Sequence, residues 1–375
     1  MKIAIDARSA NLNVGLGRLS YNLISEILKN DRENSYILFT DSEDPFPDIK
    51  YTNIKKINRN KARKRGAYYQ FIYIPYILKK EKADIFFSTD NLIVPMFFKG
   101  KIIATIQDLI PLVIKDYSKN KIKSLRYKIK LNLLKFKNPE RIMTISNFSK
   151  EEIKKILKIS DHKIFIIKES VDKRLKHIKS DHNILINFGI NYPYILGIGG
   201  MEIRKNNKIL IEAYISMIQN NTHIKHHLII VGNKESNMFP TLKAQIPASL
   251  EERIHFLGSL SNKELSVIYK NAEMLVYPSL YEGFGLPPIE AMHHKIPVIT
   301  SNTTSISEIV KNAAILINPE KKSEISAAML TLLQDQNVKE KFIKRGEDLL
   351  LEYKWEDSAK KVIQEFNLLK EKIKK

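Results

Sequence analysis

The chain has 375 residues, 43% of them hydrophobic, which is more than one ordinary domain holds and enough to give two domains real cores. It has no cysteine, which excludes disulfides, zinc–thiolate sites and a cysteine nucleophile. Of the formal net charge of +21, residues 1–187 carry +18, with 38 Lys+Arg against 20 Asp+Glu; residues 188–375 carry +3.

The charge is concentrated further within 55–137, which holds 21 basic residues against 5 acidic ones. Such a local field points to an anionic partner: a membrane surface, a diphosphate lipid or nucleic acid. No nucleic-acid-binding module is recognisable, so that partner is set aside. The start, MKIAIDAR, runs straight into a strand pattern and lacks the apolar region of a signal peptide. No stretch of ~18 apolar residues is present. The expectation is a cytoplasmic protein, held peripherally at the inner face of the cytoplasmic membrane by its basic half.

Strand and helix patterns alternate throughout, which predicts α/β architecture with parallel sheets. Lys2–Ala7 reads as the first strand. The loop NLNVGLGR follows, then an amphipathic helix through Leu19, Leu23, Ile24, Ile27 and Leu28. Gly15 and Gly17 sit where a first strand turns into a first helix, a place suited to phosphate contact. Ser20 breaks the longer dinucleotide pattern, and a plain tight turn accounts for the same two glycines. Strands are predicted at Ser35–Thr40, Ile54–Asn58, Ala83–Ser88 and Lys101–Asp108.

Residues 55–80 run from a basic stretch into Tyr68, Tyr69, Phe71, Ile72, Tyr73, Tyr76 and Ile77. Basic residues beside tyrosines suit a membrane interface, and a core helix with a solvated basic lead-in is the alternative. A second basic helix, Ser118–Lys137, puts Ile122, Leu125, Ile129, Leu133 and Phe136 on one face. That stripe is expected to pack on the sheet. The lysines at 121, 123, 128, 130, 135 and 137 would then be free to meet anionic lipid. The strand ending in Gln107-Asp108 precedes RIMTISNFSKEEI, a strand and a helix capped by Ser146 or Asn147. Residues 178–192 read as the interdomain linker, with the boundary at 187/188.

The second half opens with PYILGIGGMEIRKNNKILIEAY, residues 193–214. A strand ends in Gly197, Gly199 and Gly200, and Arg204-Lys205 then open a helix. Two cations at a helix start are disfavoured by a few tenths of a kcal/mol or more. A bound diphosphate reverses that sign, because each charge-assisted contact contributes ~1.5–3 kcal/mol. The bland alternative is an exposed Arg-Lys pair. Strands at His226–Gly232 and Arg253–Gly258 end in Gly232 and in Leu257-Gly258, and strand ends in such sheets line the ligand crevice.

PSLYEGFGLPPIEAM, residues 278–292, reads as a glycine loop between a buried strand and a helix N-terminus. Its glutamates, Glu282 and Glu290, are eight apart. Glycines let the backbone approach a ligand, and free N–H groups at a helix start attract phosphate. On spacing alone, an ordinary βα turn with two incidental acids fits as well. Strands at Pro297–Thr300 and Ala313–Ile317 flank a short helix at Ser307–Val310, and the tail from Lys321 is helical.

The ordered set GLGR, QD, TISNFSK, GGMEIRKN, IIVG, HFLG and YEGFGLPPIEAM resembles glycosyltransferase family 4, retaining enzymes of the GT-B fold. The resemblance is nearest to mannosyl- and rhamnosyltransferase-like members that build bacterial surface polysaccharides. It implies two Rossmann-like domains facing a central cleft: 1–187 on the acceptor side and 188–354 on the nucleotide-sugar side. Residues 355–375 would form a helix crossing back to the first domain. Arg204 and Lys205 would hold the donor diphosphate and, with Glu282, carry catalysis. Glu282 and the backbone at Phe284, Gly285 and Leu286 would meet the transferred sugar, and Glu290 the ribose. Gly200, Gly232 and Leu257 would line the donor site, and Gly15 and Gly17 would let the acceptor-side loop approach it.

Gln107, Asp108 and Ser146 would touch sugar or acceptor. The family usually has His-Asp where this chain has Gln107-Asp108, and Gln cannot carry a proton. No general base is therefore assigned. No metal and no cofactor beyond the nucleotide diphosphate sugar donor is implied. The acceptor would be a glycan or a polyprenyl-diphosphate-linked glycan. Two rival readings fit the same residues: another GT-B enzyme such as a sugar-nucleotide 2-epimerase, or a non-catalytic nucleotide-sugar-binding protein.

Overall fold

The computed structural model describes residues 1–12, 15–40, 46, 54–58, 68–114, 121–176, 183–200 and 202–374. The chain divides into two compact units. The first unit comprises Met1–Glu169 and Lys354–Lys375, and the second comprises Ser170–Tyr353.

The first unit is built on strands β1 (Lys2–Asp6), β2 (Ser35–Thr40), β3 (Ile54–Asn58), β4 (Ile85–Asn91), β5 (Lys101–Thr105), β6 (Arg141–Thr144) and β7 (Ile164–Ile166). They form one sheet in the order β3-β2-β1-β4-β5-β6-β7, all neighbours parallel. Segments such as IAI in β1 and IFF in β4 are apolar without alternation because helices cover both faces of the sheet. On one face Ala4, Phe39, Phe86, Ile102 and Ile142 pack with Tyr69, Ile77, Leu131 and Leu134 from flanking helices. The register between β4 and β5 shifts between Phe87 and Asn91, which leaves Ser88–Asp90 out of the regular pairing with β5.

The second unit contains β8 (Tyr194–Ile198), β9 (His227–Val231), β10 (Ile254–Gly258), β11 (Met274–Tyr277), β12 (Val298–Ser301) and β13 (Ile315–Ile317). Their order is β10-β9-β8-β11-β12-β13, again parallel. Strand order reverses between β1 and β4 in the first sheet and between β8 and β11 in the second. At such switch points the connections leave to opposite sides and open a crevice at the carboxyl ends of the strands.

Several expectations need correction. The linker does not span 178–192: Asn183–Asn187 is a short helix with Ile184 and Leu185 buried, and residues from Ser170 group with the second unit. The helix at 121–137 does not bury the stripe assigned to it. Leu131 and Leu134 face the core with Tyr127 and Leu133, while Ile122, Leu125, Ile129 and Phe136 are exposed. The helix carries two apolar stripes, and the sheet takes the one containing Leu131 and Leu134. Two of its lysines are also not free for lipid: Lys137 donates to the Phe98 carbonyl, and Lys130 is partly buried near Asp90. The basic run at 59–67 and the side chains of Lys121 and Lys123 lie outside the described residues.

Candidate functional site

In the second unit β8 runs into Gly199-Gly200 and β11 into the loop 278–285, so both loops leave the switch point side by side. Gly199 has φ +133, and a Cβ there would lie 2.9 Å from Lys205 Cδ, so its bare Cα makes room for the lysine stem. A Cβ on Gly232, at the end of β9, would meet the Gly199 carbonyl oxygen at 2.3 Å.

The two loops are tied together through their backbones. The Leu280 amide donates to the Arg204 carbonyl at 2.7 Å. The end of β12 holds the 278–285 loop from behind: Ser301 Oγ donates to the Ser279 carbonyl at 2.6 Å and Ser305 Oγ to the Glu282 carbonyl at 2.8 Å. These bonds fix where the Glu282 side chain starts, and its carboxylate then meets the cations. Arg204 Nη1 donates to Glu282 Oε1 at 2.8 Å and Lys205 Nζ to the same oxygen at 2.7 Å. Tyr277 Oη and Ser279 Oγ lie 2.7 and 2.6 Å from it. Lys205 Nζ also donates to Tyr277 Oη, and Arg204 Nε donates to Glu202 at 2.7 Å.

Burial alone would raise the pKa of the Glu282 carboxyl. The Lys205 and Arg204 cations outweigh burial and hold it down at about 2. The Tyr277 phenol is pushed well above 10, by burial and then by Glu282, so it keeps its proton and donates. This arrangement sets two cations against one carboxylate in a largely buried setting, with Glu202 balancing Arg204 from a more exposed position. Counting Glu202, the cluster is charge-balanced, and its interactions are worth more there than in water.

Glu290 lies in the helix Leu286–His293, which starts at Gly285 (φ +102) with Pro287 and Pro288 in its first turn. It is 1% exposed and accepts from Tyr269 Oη at 2.9 Å. Its charge also helps raise the Tyr277 pKa, so it shares the electrostatic field of the cationic pair. Phe284 points into the core, edge-on to Tyr353 with ring centroids 5.9 Å apart, so only its backbone is left to face a ligand. Leu286 is buried as the first helical residue, and Leu257 is half-buried in the edge strand β10.

The first unit distributes its expected residues less tightly. Gly17 fits against its own loop, where a Cβ would overlap the Leu12 carbonyl, whereas a Cβ on Gly15 would meet no atom of the described residues within 4 Å. Ser146 is buried and caps the helix Asn147–Leu157, its Oγ accepting from the Ser149 amide at 3.0 Å. Asp108 Oδ1 accepts from the Ile110 amide at 3.1 Å, holding a turn. The Gln107 Nε2 group is buried with no hydrogen-bond partner among the described residues, and so are Asp90 Oδ1 and Asn91 Oδ1.

The sequence reading missed the polar cluster at the β1/β4 switch point. Arg8 pairs with Asp6 through two bonds of 2.7 and 2.6 Å, stacks over the Tyr69 ring, and reaches Asp90 at 3.7 Å. Burial, and then the Asp6 charge, raise the Asp90 carboxyl to about 6. Ser9, Ser20 and Thr89 link hydroxyls beside it, at 2.7 and 2.9 Å. Polar residues ending β1 and β4, DAR and STDN, were the signal available. Tyr277, Ser279 and Tyr269 were also missed, since each reads as strand, turn or helix filler.

Residues 186–349 match the family model described as Glycosyl transferases group 1. The chain is 33% identical over 233 residues to O-antigen chain mannosyltransferase B of Escherichia coli, covering 61% of this chain and 60% of that protein. It is 28% identical over 231 residues to O-antigen chain mannosyltransferase RfbU of Salmonella typhimurium, with the same coverage. The match thus spans about three-fifths of the length of these two relatives. A glycosyltransferase from Rickettsia africae superposes with TM-score 0.72 at 16% identity, covering 98% of both chains. Anabaena HepE in complex with UDP and glucose gives 0.74 at 16% identity, covering 98% of this chain and 99% of that one. Residues 186–349 therefore belong to the group 1 glycosyl transferase family, on a chain whose two parallel-sheet units have the GT-B fold.

Proposed function

We propose that the chain is a glycosyltransferase that moves a hexose or deoxyhexose from a nucleoside diphosphate sugar to a glycan or polyprenyl-diphosphate-linked acceptor. The transfer keeps the anomeric configuration and serves the synthesis of a bacterial surface polysaccharide of the O-antigen kind. The observation that carries this reading is the convergence of Arg204 and Lys205 on Glu282 at the β8/β11 switch point. The two O-antigen mannosyltransferases among its relatives favour a mannose-type donor.

In this reading Arg204 and Lys205 share their charge between Glu282 and the donor diphosphate. The bond between the sugar C1 and the phosphate oxygen lengthens, and the cations neutralise charge as it builds on the departing diphosphate. The acceptor oxygen forms its bond to C1 on the same face. Its proton passes to the leaving phosphate oxygen, which removes the need for a protein base and fits Gln107 in its position. Glu282 accepts from a sugar hydroxyl, Glu290 takes the ribose hydroxyls, and the backbone at Gly285 and Leu286 supports the phosphate. In the first unit, Gln107, Asp90 and Asn91 offer one donor and two acceptors to a hydroxyl-rich acceptor.

The test is a panel of UDP-, GDP-, dTDP- and CMP-sugars incubated with lipid-linked acceptor extract, with product linkage read by NMR. Lys205→Ala and Glu282→Ala should each lower transfer by about 10² or more, and EDTA should leave it intact. Undiminished transfer in both variants would remove the assignment. Conversion of the sugar without any acceptor would point to an epimerase instead.

A further inference from the structure

We infer that the outward sides of two helical segments in the first unit form one docking surface for an anionic lipid bilayer. The proposed lipid-linked acceptor explains why such docking would be useful, and the surface itself is read from burial and charge. Helix Lys121–Lys137 exposes Ile122 (61%), Leu125 (59%), Ile129 (48%) and Phe136 (82%). Spacings of three, four and seven residues place these four on a single stripe of a 3.6-residue helix. Exposed Arg126, Lys128 and Lys135 flank the stripe.

The segment 68–80 repeats the arrangement. It buries Tyr69, Ile74, Ile77 and Leu78 and exposes Tyr68, Ile72 and Tyr76, each four residues from the next, followed by exposed Lys79 and Lys80. The buried sides of both helical segments join one core cluster on the same face of the first sheet, with Ala4, Phe86, Ile102 and Ile142. The two exposed stripes therefore lie on the same side of the unit.

Charge selects the occupant. Exposed Lys79, Lys80, Arg126, Lys128 and Lys135 lie beside the two stripes, and residues 68–80 and 121–137 contain no Asp or Glu. A second copy of the chain would set these cations against themselves. A nucleic acid would meet the lysines and leave the Ile, Leu and Phe stripe in water. An anionic bilayer satisfies both, with headgroup phosphates at the lysines, tyrosines at the interface and the aliphatic stripe at the acyl boundary. No helix among the described residues is long and apolar enough to cross a membrane, so the contact is with the surface.

The experiment is co-sedimentation of the full chain with vesicles, either pure phosphatidylcholine or about one third phosphatidylglycerol, at ~0.1 M salt. The wild type should bind the anionic vesicles and bind the neutral ones at least about tenfold more weakly. Leu125→Glu/Ile129→Glu and Lys128→Glu/Lys135→Glu should each weaken anionic binding at least about tenfold. Thermal melting and calorimetric GDP and UDP binding should be unchanged in both. Phe136→Ser, at the most exposed position, should weaken binding in the same direction should either double variant misfold. Lys205→Ala should still bind vesicles, which separates failure of the docking surface from failure of the donor site. Absent wild-type binding, or full binding by both apolar variants, would overturn the inference. So would a wild-type dimer in sedimentation that Leu125→Glu/Ile129→Glu dissociates, since the stripe would then belong to a second copy.

Discussion

Gly232 stands so close to Gly199 that a Cβ on the former would lie 2.3 Å from the carbonyl oxygen of the latter. The contact holds the loop that covers the Lys205 stem. Gly232→Ala has to push backbone against backbone, so its melting temperature should drop and its affinity for a nucleoside diphosphate should fall at least about tenfold. Gly15→Ala is the matched control. No atom of the described residues lies within 4 Å of its Cβ and it opens a helix, so alanine there should be neutral or stabilising by up to ~1 kcal/mol. Scanning calorimetry and titration calorimetry on both variants read the difference, and equal losses would refute it.

With its pKa at about 2, Glu282 stays ionised at any working pH, so it should not set the acid limb of the wild-type pH–rate profile. Lys205→Met removes the cation that does most to hold the carboxyl down, and burial then pushes it up. A new acid limb should appear at higher pH in this variant. Turnover should fall by roughly 10² to 10³, the usual cost of losing one charge stabiliser of the transition state. Profiles of wild type and variant that coincide in shape would contradict the pairing.

Asp90 should make the protein less stable as pH rises. Its folded pKa, about 6, lies above the 3.8 of an unperturbed aspartate. Its favourable contribution is therefore complete below 3.8 and is lost as pH climbs through 6. Asp90→Asn should stabilise the fold at pH 8 by up to ~3 kcal/mol and change little at pH 4. Urea denaturation at the two pH values measures this, and a larger gain at the acid end would reverse the sign.

The histidines beneath the second sheet act in the opposite direction. His227 Nδ1 and His255 Nε2 are 2.9 Å apart, with Tyr192 stacked against both rings. Such a bond needs one bare nitrogen, and burial followed by the His255 and Arg253 charges lowers His227 to about 4. A folded pKa below the unfolded 6.5 means this contribution is present above 6.5 and is lost as pH falls toward 4. His227→Gln should flatten the stability profile between those values, measured by thermal melts across that range. An unchanged slope would show that the pair does not titrate there.

What the residues revealed in advance depended on range. β2 and β3 fall at the expected Ser35–Thr40 and Ile54–Asn58; β2 is a buried apolar run that announces itself locally, while β3 is an edge strand whose Lys55 and Lys56 face solvent between Ile54 and Ile57. Arg204, Lys205 and Glu282 were legible as types in glycine loops, yet their meeting on one oxygen depends on β8 and β11 becoming neighbours. Asp6 and Asp90 were passed over for the same reason, since a switch point exists only once strand order is known. Tyr277 looked like a core strand residue and is one, with its hydroxyl doing polar work at the strand end. The helix at 121–137 was misjudged because both of its sides are apolar enough to pack, and periodicity does not say which one the sheet accepts.

The helix Trp355–Lys374 packs on Gly15–Asn30, sets Phe366 against Phe87 at 5.7 Å, and lends Ser358 Oγ to the Lys168 carbonyl at 2.6 Å. Residues more than two hundred positions apart thus complete one hydrophobic body, with the whole second unit threaded between them. During synthesis the ribosome finishes the later-encoded unit while the earlier one still lacks a wall. The order of closure is the reverse of the order of translation, and a chain cut at 353 would lose part of its beginning rather than a tail.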